Sequence, residues 1–288
     1  MDRVHGHQQL SLFHAHYDSR CFLPIHIYEA TTGKPVAMIL RPGKTPDGAE
    51  VAFVLRHVVR AIRDRWPAVD IVIRGDGHYA RPEAMSWLER NGIGYVFGLA
   101  GNRILLDRVA DLAEDVAVRR AETGADKVRR FRALRYGARS WKVDRRVVAR
   151  VEATALGSDS RFIVTNLTGA PRWLYEHLYC GRGQAENLIK AHKLHLASDR
   201  TSCSKATANQ FRLLIHTAAY WLLHRLRELA PKTSSWRDAQ FDTLRLTFIK
   251  VAARVSELVT RIKVSLPSCY PYKESLARFA DRAVARPP

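Results

Sequence analysis

Apolar and polar positions change rhythm several times along the chain, and each rhythm predicts a different element. Residues 8–30 read as two strands, QQLSLFHAHY and CFLPIHIYEA, joined as an antiparallel hairpin by the polar turn from Asp18 to Arg20. Pro24 then belongs at a strand edge or bulge. A Gly-Lys-Pro turn and the short apolar run after it, within TTGKPVAMILRPGKTPDG, add a third strand. Val51, Val54, Leu55, Val58, Ile62 and Trp66 recur at helical spacing, behind Thr45 as N-cap and Pro46 at the first helical position, and the pattern stops at Pro67. DIVIRGD is a continuous apolar run of the kind that forms a strand buried on both faces, which puts Asp76 at the carboxyl end of a central strand. A helix from Arg81-Pro82-Glu83 to Arg90, closed by Asn91-Gly92, leads into the strand IGYVFGLAG.

The rhythm shifts again after Arg103. Residues 103–170 read as a mostly β, basic insertion, ending in the β-branched run RFIVTNL. From Pro171 the spacing predicts helices near Trp173 to Leu196, Lys205 to Leu229 and Ala239 to Val264, then a loosely packed tail from Leu266. The predicted class is α/β. Its expected parts are a core over residues 1–102, the insertion, a return to the core over 171–230, and a helical region with tail over 231–288.

Composition narrows the partner. With 288 residues, 47% of them hydrophobic, the chain can bury a sizeable core. A formal charge of +19 is unusual for an enzyme of small metabolites and points to a polyanion, with nucleic acid first. The ten basic residues between Lys127 and Arg150 stand among Phe131, Tyr136 and Trp141, which suits phosphate contact with stacking and equally a solvated strand face. Four cysteines without a CxxC pair argue against a zinc knuckle and a secreted disulfide framework. The amino terminus has no apolar signal core, so a cytoplasmic location is expected. FRLLIHTAAYWLLHRLREL is broken by Arg212, His216, His224 and Arg225 and reads as core or dimer packing, not as a membrane helix. His14 and His16 share a predicted strand face, and a metal site there would need a strand pairing that brings in His5 or His7, which the sequence does not establish.

The richest stretch is LYCGRGQAENLIKAHK. On an ideal helix Tyr179, Arg182, Glu186 and Lys193 fall within about 60 degrees of one face. A carboxylate there can hold a hard divalent cation while Arg and Lys neutralise phosphate oxygens and Tyr donates a hydrogen bond. The same residues also fit a surface helix with an Arg182–Glu186 ion pair.

The spacing Y-x2-R-x3-E-x6-K, together with HGHQQLSLFHAHYDSRCFLPIHIYEATTGKPVAMILRPG, IRGDGHY and GRGQAENLIKAHKLHLASDRTS, resembles the DDE transposases (group 1) of bacterial insertion sequences over nearly the whole chain. The resemblance implies a ribonuclease H-like core, a fold with which the predicted order of three meandering strands and alternating helices and strands agrees. It implies carboxylates that bind two Mg²⁺ ions, with Mn²⁺ as a substitute, and cleavage and strand transfer of double-stranded DNA at transposon ends and target. It implies a homodimer on DNA, with no membrane and no small-molecule substrate. Asp76 looks like the second carboxylate and Glu186 the third, with Tyr179, Arg182, Lys190 and Lys193 on the DNA. The family's first Asp lies on a strand just upstream of the segment matching HGHQQLSLF. Asp2 is too close to that segment and has no predicted strand around it, and Asp18 falls in a turn. The expectation is a chain truncated at its amino terminus, lacking the first core strand and impaired in catalysis. The alternative is a non-catalytic DNA-binding remnant that inhibits a full-length relative.

Overall fold

The amino-terminal alternation forms five short strands in the computed structural model, which describes residues 1–284. Strands β1 (Asp2–Arg3), β2 (Leu12–His14) and β3 (Ser19–Phe22) make an antiparallel sheet in the order β1-β3-β2. The predicted hairpin is β2–β3, and Asp18 turns it in the left-handed region at φ 44°. β4 (Ile25–Tyr28) pairs antiparallel with β5 (Pro35–Ile39), with a register shift at Ile27/Tyr28. Pro24 falls between β3 and β4, where no ladder hydrogen bond is asked of it.

Helix α1 (Gly48–Arg65) is capped by Asp47, whose carboxylate accepts the Glu50 amide at 2.9 Å, two residues beyond the expected Thr45. It ends at Trp66, ahead of Pro67. β6 (Val72–Gly75), α2 (Pro82–Arg90) and β7 (Gly94–Leu99) form a parallel crossover unit. β6 is not central. In the five-stranded order β6-β7-β10-β9-β8 it is an edge strand, and Val72 is 46% exposed. The apolar run misleads because Ile71 and Ile73 pack on the core while Val72 does not. β7 is the strand buried on both faces, with Tyr95 and Phe97 in one cluster and Val96 in another.

Residues 103–170 carry more strand than helix, but they open on two helices that the sequence reading did not expect. α3 (Arg103–Asp107) and α4 (Ala110–Thr123) come first, because Asn102 caps the Leu105 amide and Leu105, Val109, Leu112 and Val116 meet the core at helical spacing. β8 (Lys127–Tyr136), β9 (Arg145–Thr154) and β10 (Gly157–Thr165) then follow as an antiparallel meander. They do not stand apart: β10 pairs with β7, so all five strands share one sheet. One sheet face packs on Val51, Leu55, Met85, Leu88 and Leu105, and the other is covered by Leu174 and Tyr175. Each such side chain contributes roughly 1.5–3 kcal/mol on burial.

The helix expected from Trp173 to Leu196 is a helical run whose winding changes: α5 (Pro171–Trp173), a π-turn at Leu174–Tyr179, a 3₁₀ turn at Cys180–Arg182, α6 (Gly183–Lys190) and a second π-turn at Ala191–His195. α7 (Ala206–Leu229) matches expectation. The helix expected over Ala239–Val264 does not form. α8 (Phe241–Leu244) and a π-turn at Arg245–Ile249 give way to the hairpin of β11 (Arg254–Leu258) and β12 (Arg261–Ser265), whose Val255/Val264 and Glu257/Ile262 pairs follow a period of two. The tail carries α9 (Lys273–Val284), anchored by buried Phe279 against Phe248.

The chain divides into two compact units, Met1–Lys44 with Ala185–Pro288, and Thr45–Gln184; the second boundary falls inside α6. Among the described residues no helix is long and apolar enough to cross a membrane.

Candidate carboxylate and phosphate-contact site

Asp76 follows the last residue of β6 and caps the 3₁₀ turn Gly77–Tyr79. Its Oδ1 accepts the His78 amide at 2.9 Å, with His78 Nδ1 at 3.6 Å, and the side chain stays 41% exposed. Gly98 on β7 makes room for this turn. A methyl group there would come within 2.7 Å of the Tyr179 hydroxyl, 3.0 Å of the Gly77 amide nitrogen and 3.4 Å of the Asp76 carbonyl carbon. The bare glycine therefore brings Asp76 and Tyr179 together within the Thr45–Gln184 unit. Arg74, two residues before Asp76, strengthens this junction by donating from Nη1 to the Leu178 carbonyl at 3.0 Å.

Tyr179 ends the first π-turn, and the Arg182 guanidinium lies 5.6 Å from its ring centre. Glu186 and Lys190 are exposed in the first and last turns of α6, inside the continuous helical run. Ideal 100-degree spacing does not carry across the motif, because the 3₁₀ turn tightens the run at Arg182 and the second π-turn widens it before Lys193.

Lys193 holds the least expected contact. Its Nζ lies 2.7 Å from Asp2 Oδ1 and donates to the Met1 carbonyl at 3.2 Å. Asp2 is not without a strand: it pairs with Phe22 as part of β1 and is 1% exposed. Burial pushes its carboxyl above the ordinary range, with Lys193 pulling the other way. Neighbouring His192 is fully buried, its Nδ1 2.6 Å from Ser198 Oγ and its Nε2 3.2 Å from Thr217 Oγ1. Burial, then the positive His216 and Lys193, lower its imidazole to about 4. Asp2 was set aside in the sequence as having no strand, and Arg74 and Gly98 went unread there; a lone cation inside the apolar IVIRGD run was the one available signal for Arg74.

The basic stretch from Lys127 to Arg150 is divided: Lys127, Arg130, Arg135, Arg139 and Lys142 are exposed, while four of its arginines pair closely within the unit. Arg129 bridges Glu152 at 2.6 Å and Glu176 at 2.7 Å, Arg132 forks onto Asp111 at 2.6 and 2.7 Å, Arg145 holds Glu89 at 2.7 Å, and Arg150 pairs with Asp159. Phe131 packs on Tyr175, and Tyr136 on Trp141. These aromatic rings pack within their own unit.

Asp76 and Glu186 supply the hard oxygen donors that a divalent cation takes, and both carboxylates reach solvent. They belong to different units, and among the described residues no three His, Cys, Asp or Glu side chains gather as a preformed cage.

A basic α/β chain with a carboxylate at a strand end and a Tyr-Arg-Glu-Lys helical run has the make-up of a protein that handles nucleic-acid phosphates. Residues 1–286 match the family Transposase DDE domain group 1, and the chain belongs to that family. Membership implies DNA as the general partner, and the family generally uses divalent metal ions. No curated protein matches the chain.

Proposed function

We propose that the chain is the catalytic domain of an insertion-sequence transposase on a ribonuclease H-like core, cutting DNA at the element's ends and joining strands to a target. The observation that carries this is the Y-x2-R-x3-E-x6-K run in a DDE-family chain whose Tyr179 lies against the turn that presents Asp76. Asp76 and Glu186 would hold Mg²⁺, or Mn²⁺ in its place. Bound there, the metal would activate a water or 3′ hydroxyl and stabilise the leaving oxygen.

The chain's own side chains position the DNA. Arg182 offers a planar fork to phosphate oxygens, and Tyr179, tied in place through Arg74 and Gly98, offers a hydroxyl donor beside Asp76. Lys190 adds charge from the end of α6. Lys193 reaches the backbone only by exchanging Asp2 for phosphate, so it also reports whether β1 stays docked.

The test is Mg²⁺-dependent nicking and joining of duplex carrying the element's ends. Activity, impaired because among the described residues no third carboxylate gathers with Asp76 and Glu186, is the expected result, and Asp76→Ala and Glu186→Ala should each abolish it. DNA binding without cleavage in either metal would instead support a binding remnant that blocks ends against an active relative.

A further inference from the structure

The hairpin of β11 and β12 joins no other sheet, and every residue of its two strands except Ser256 is exposed. Its register sorts the side chains by face. Val255 and Glu257 lie opposite Val264 and Ile262, while Arg254, Ser256 and Leu258 lie opposite Ser265, Lys263 and Arg261 on the other side. The second face therefore holds three cations and no carboxylate. Among the described residues Arg254, Arg261 and Lys263 make no ion pair or side-chain hydrogen bond, unlike Arg129, Arg132, Arg145 and Arg150. Cations gathered in this way attract a polyanion.

We propose that this basic face of the hairpin enters the major groove of duplex DNA. A ribbon of two strands about 5 Å apart and about 17 Å long fits a groove about 12 Å wide, whereas the minor groove, about 6 Å wide, would have to be opened. Arg254 and Arg261 then fork onto guanine O6 and N7, and Lys263 reaches the same acceptors. Leu258, at the turn end of the same face, meets thymine methyl groups. Both strand edges are unpaired outside the hairpin, so their outward N–H groups face the phosphates of the groove walls. Val255, Ile262 and Val264 stay on the outer face. Charge alone would suit an acidic protein as well; the match of ribbon to groove, in a chain whose family has DNA as its general partner, selects the duplex. A two-stranded hairpin is marginal in water on its own, and DNA along it supplies contacts it otherwise lacks.

The choice of ligand rests on the proposed function, but neither carboxylate takes part, so the test runs without metal. Binding is measured by fluorescence anisotropy on duplex carrying the element's ends and on a scrambled duplex of the same length. Dimethyl sulfate, which methylates guanine N7 in the major groove, supplies the footprint. The parent chain should protect guanines within the ends. Arg254→Gln with Arg261→Gln should weaken binding to the ends by about 20-fold or more and leave those guanines reactive, with the thermal melt unchanged because both side chains are exposed. Arg261→Lys keeps the charge but loses the fork, so it should lower the preference for the ends while the salt dependence stays. Duplex bound by the parent with no guanine protected overturns the proposal whether or not the variants fold, and leaves the carboxylate site standing. An equal loss on both duplexes with guanines still protected places these cations on phosphates and also overturns it. A chain that binds no duplex overturns the hairpin and the proposed function together.

Discussion

Lys193 and Asp2 show how a motif residue can hold the fold together as well as wait for its ligand. An ammonium 2.7 Å from a fully buried carboxylate cannot be removed without stranding that carboxylate. Lys193→Met should therefore destabilise the chain by about 3–5 kcal/mol, and adding Asp2→Asn should recover part of the loss, both read from denaturant unfolding. A simple phosphate contact would leave stability untouched. His192 gives the pH counterpart. Its imidazole falls from 6.5 to about 4 on folding, so the unfolded chain binds the extra proton. The stabilisation is complete above about pH 6.5 and is lost as pH falls toward 4, at about 1.4 kcal/mol per pH unit. Melting at pH 7.5 and pH 5 should show the drop, and His192→Gln should reduce it, leaving the share of His26, which burial lowers to about 3.

At the scale of elements, strong periodicity was readable and its interruptions were not. α1, α2 and α7 follow from apolar spacing and proline punctuation, and β7 from its apolar run. The edge position of β6 escaped because Ile71 and Ile73 look alike whether or not Val72 is covered. The β11–β12 hairpin escaped because Val255, Leu258 and Ile262 satisfy three- and four-residue spacing by chance while their strands pair with a period of two. Asp76 at a strand end and Glu186 on a helix were both legible; the tie through Arg74 and the space at Gly98 depend on contacts between segments remote in sequence. The tail was misread because one aromatic side chain anchors it. Phe279 is 3% exposed and meets Phe248 at 4.9 Å, so Phe279→Ala should cost about 3–5 kcal/mol in unfolding measurements. A loose tail would lose almost nothing.

Across the whole molecule, the charge of +19 is used in two ways. Arg129, Arg132, Arg145 and Arg150 neutralise carboxylates of their own unit, which leaves the exposed cations of that stretch, with Arg182 and Lys190 among those proposed, to set DNA affinity. Log affinity should fall linearly with log salt, and Arg182→Ala should make that slope shallower by about 0.9, the share of one phosphate contact. An unchanged slope would remove Arg182 from the backbone. The proposed chemistry rests on Asp76 and Glu186 as the carboxylates that take the divalent cation. Mn²⁺ titration of the DNA-bound chain, followed by electron paramagnetic resonance, tests this most directly. Asp76→Asn and Glu186→Gln should each weaken Mn²⁺ binding by about tenfold or more with DNA binding intact. Mn²⁺ affinity unchanged in either variant would contradict the assignment.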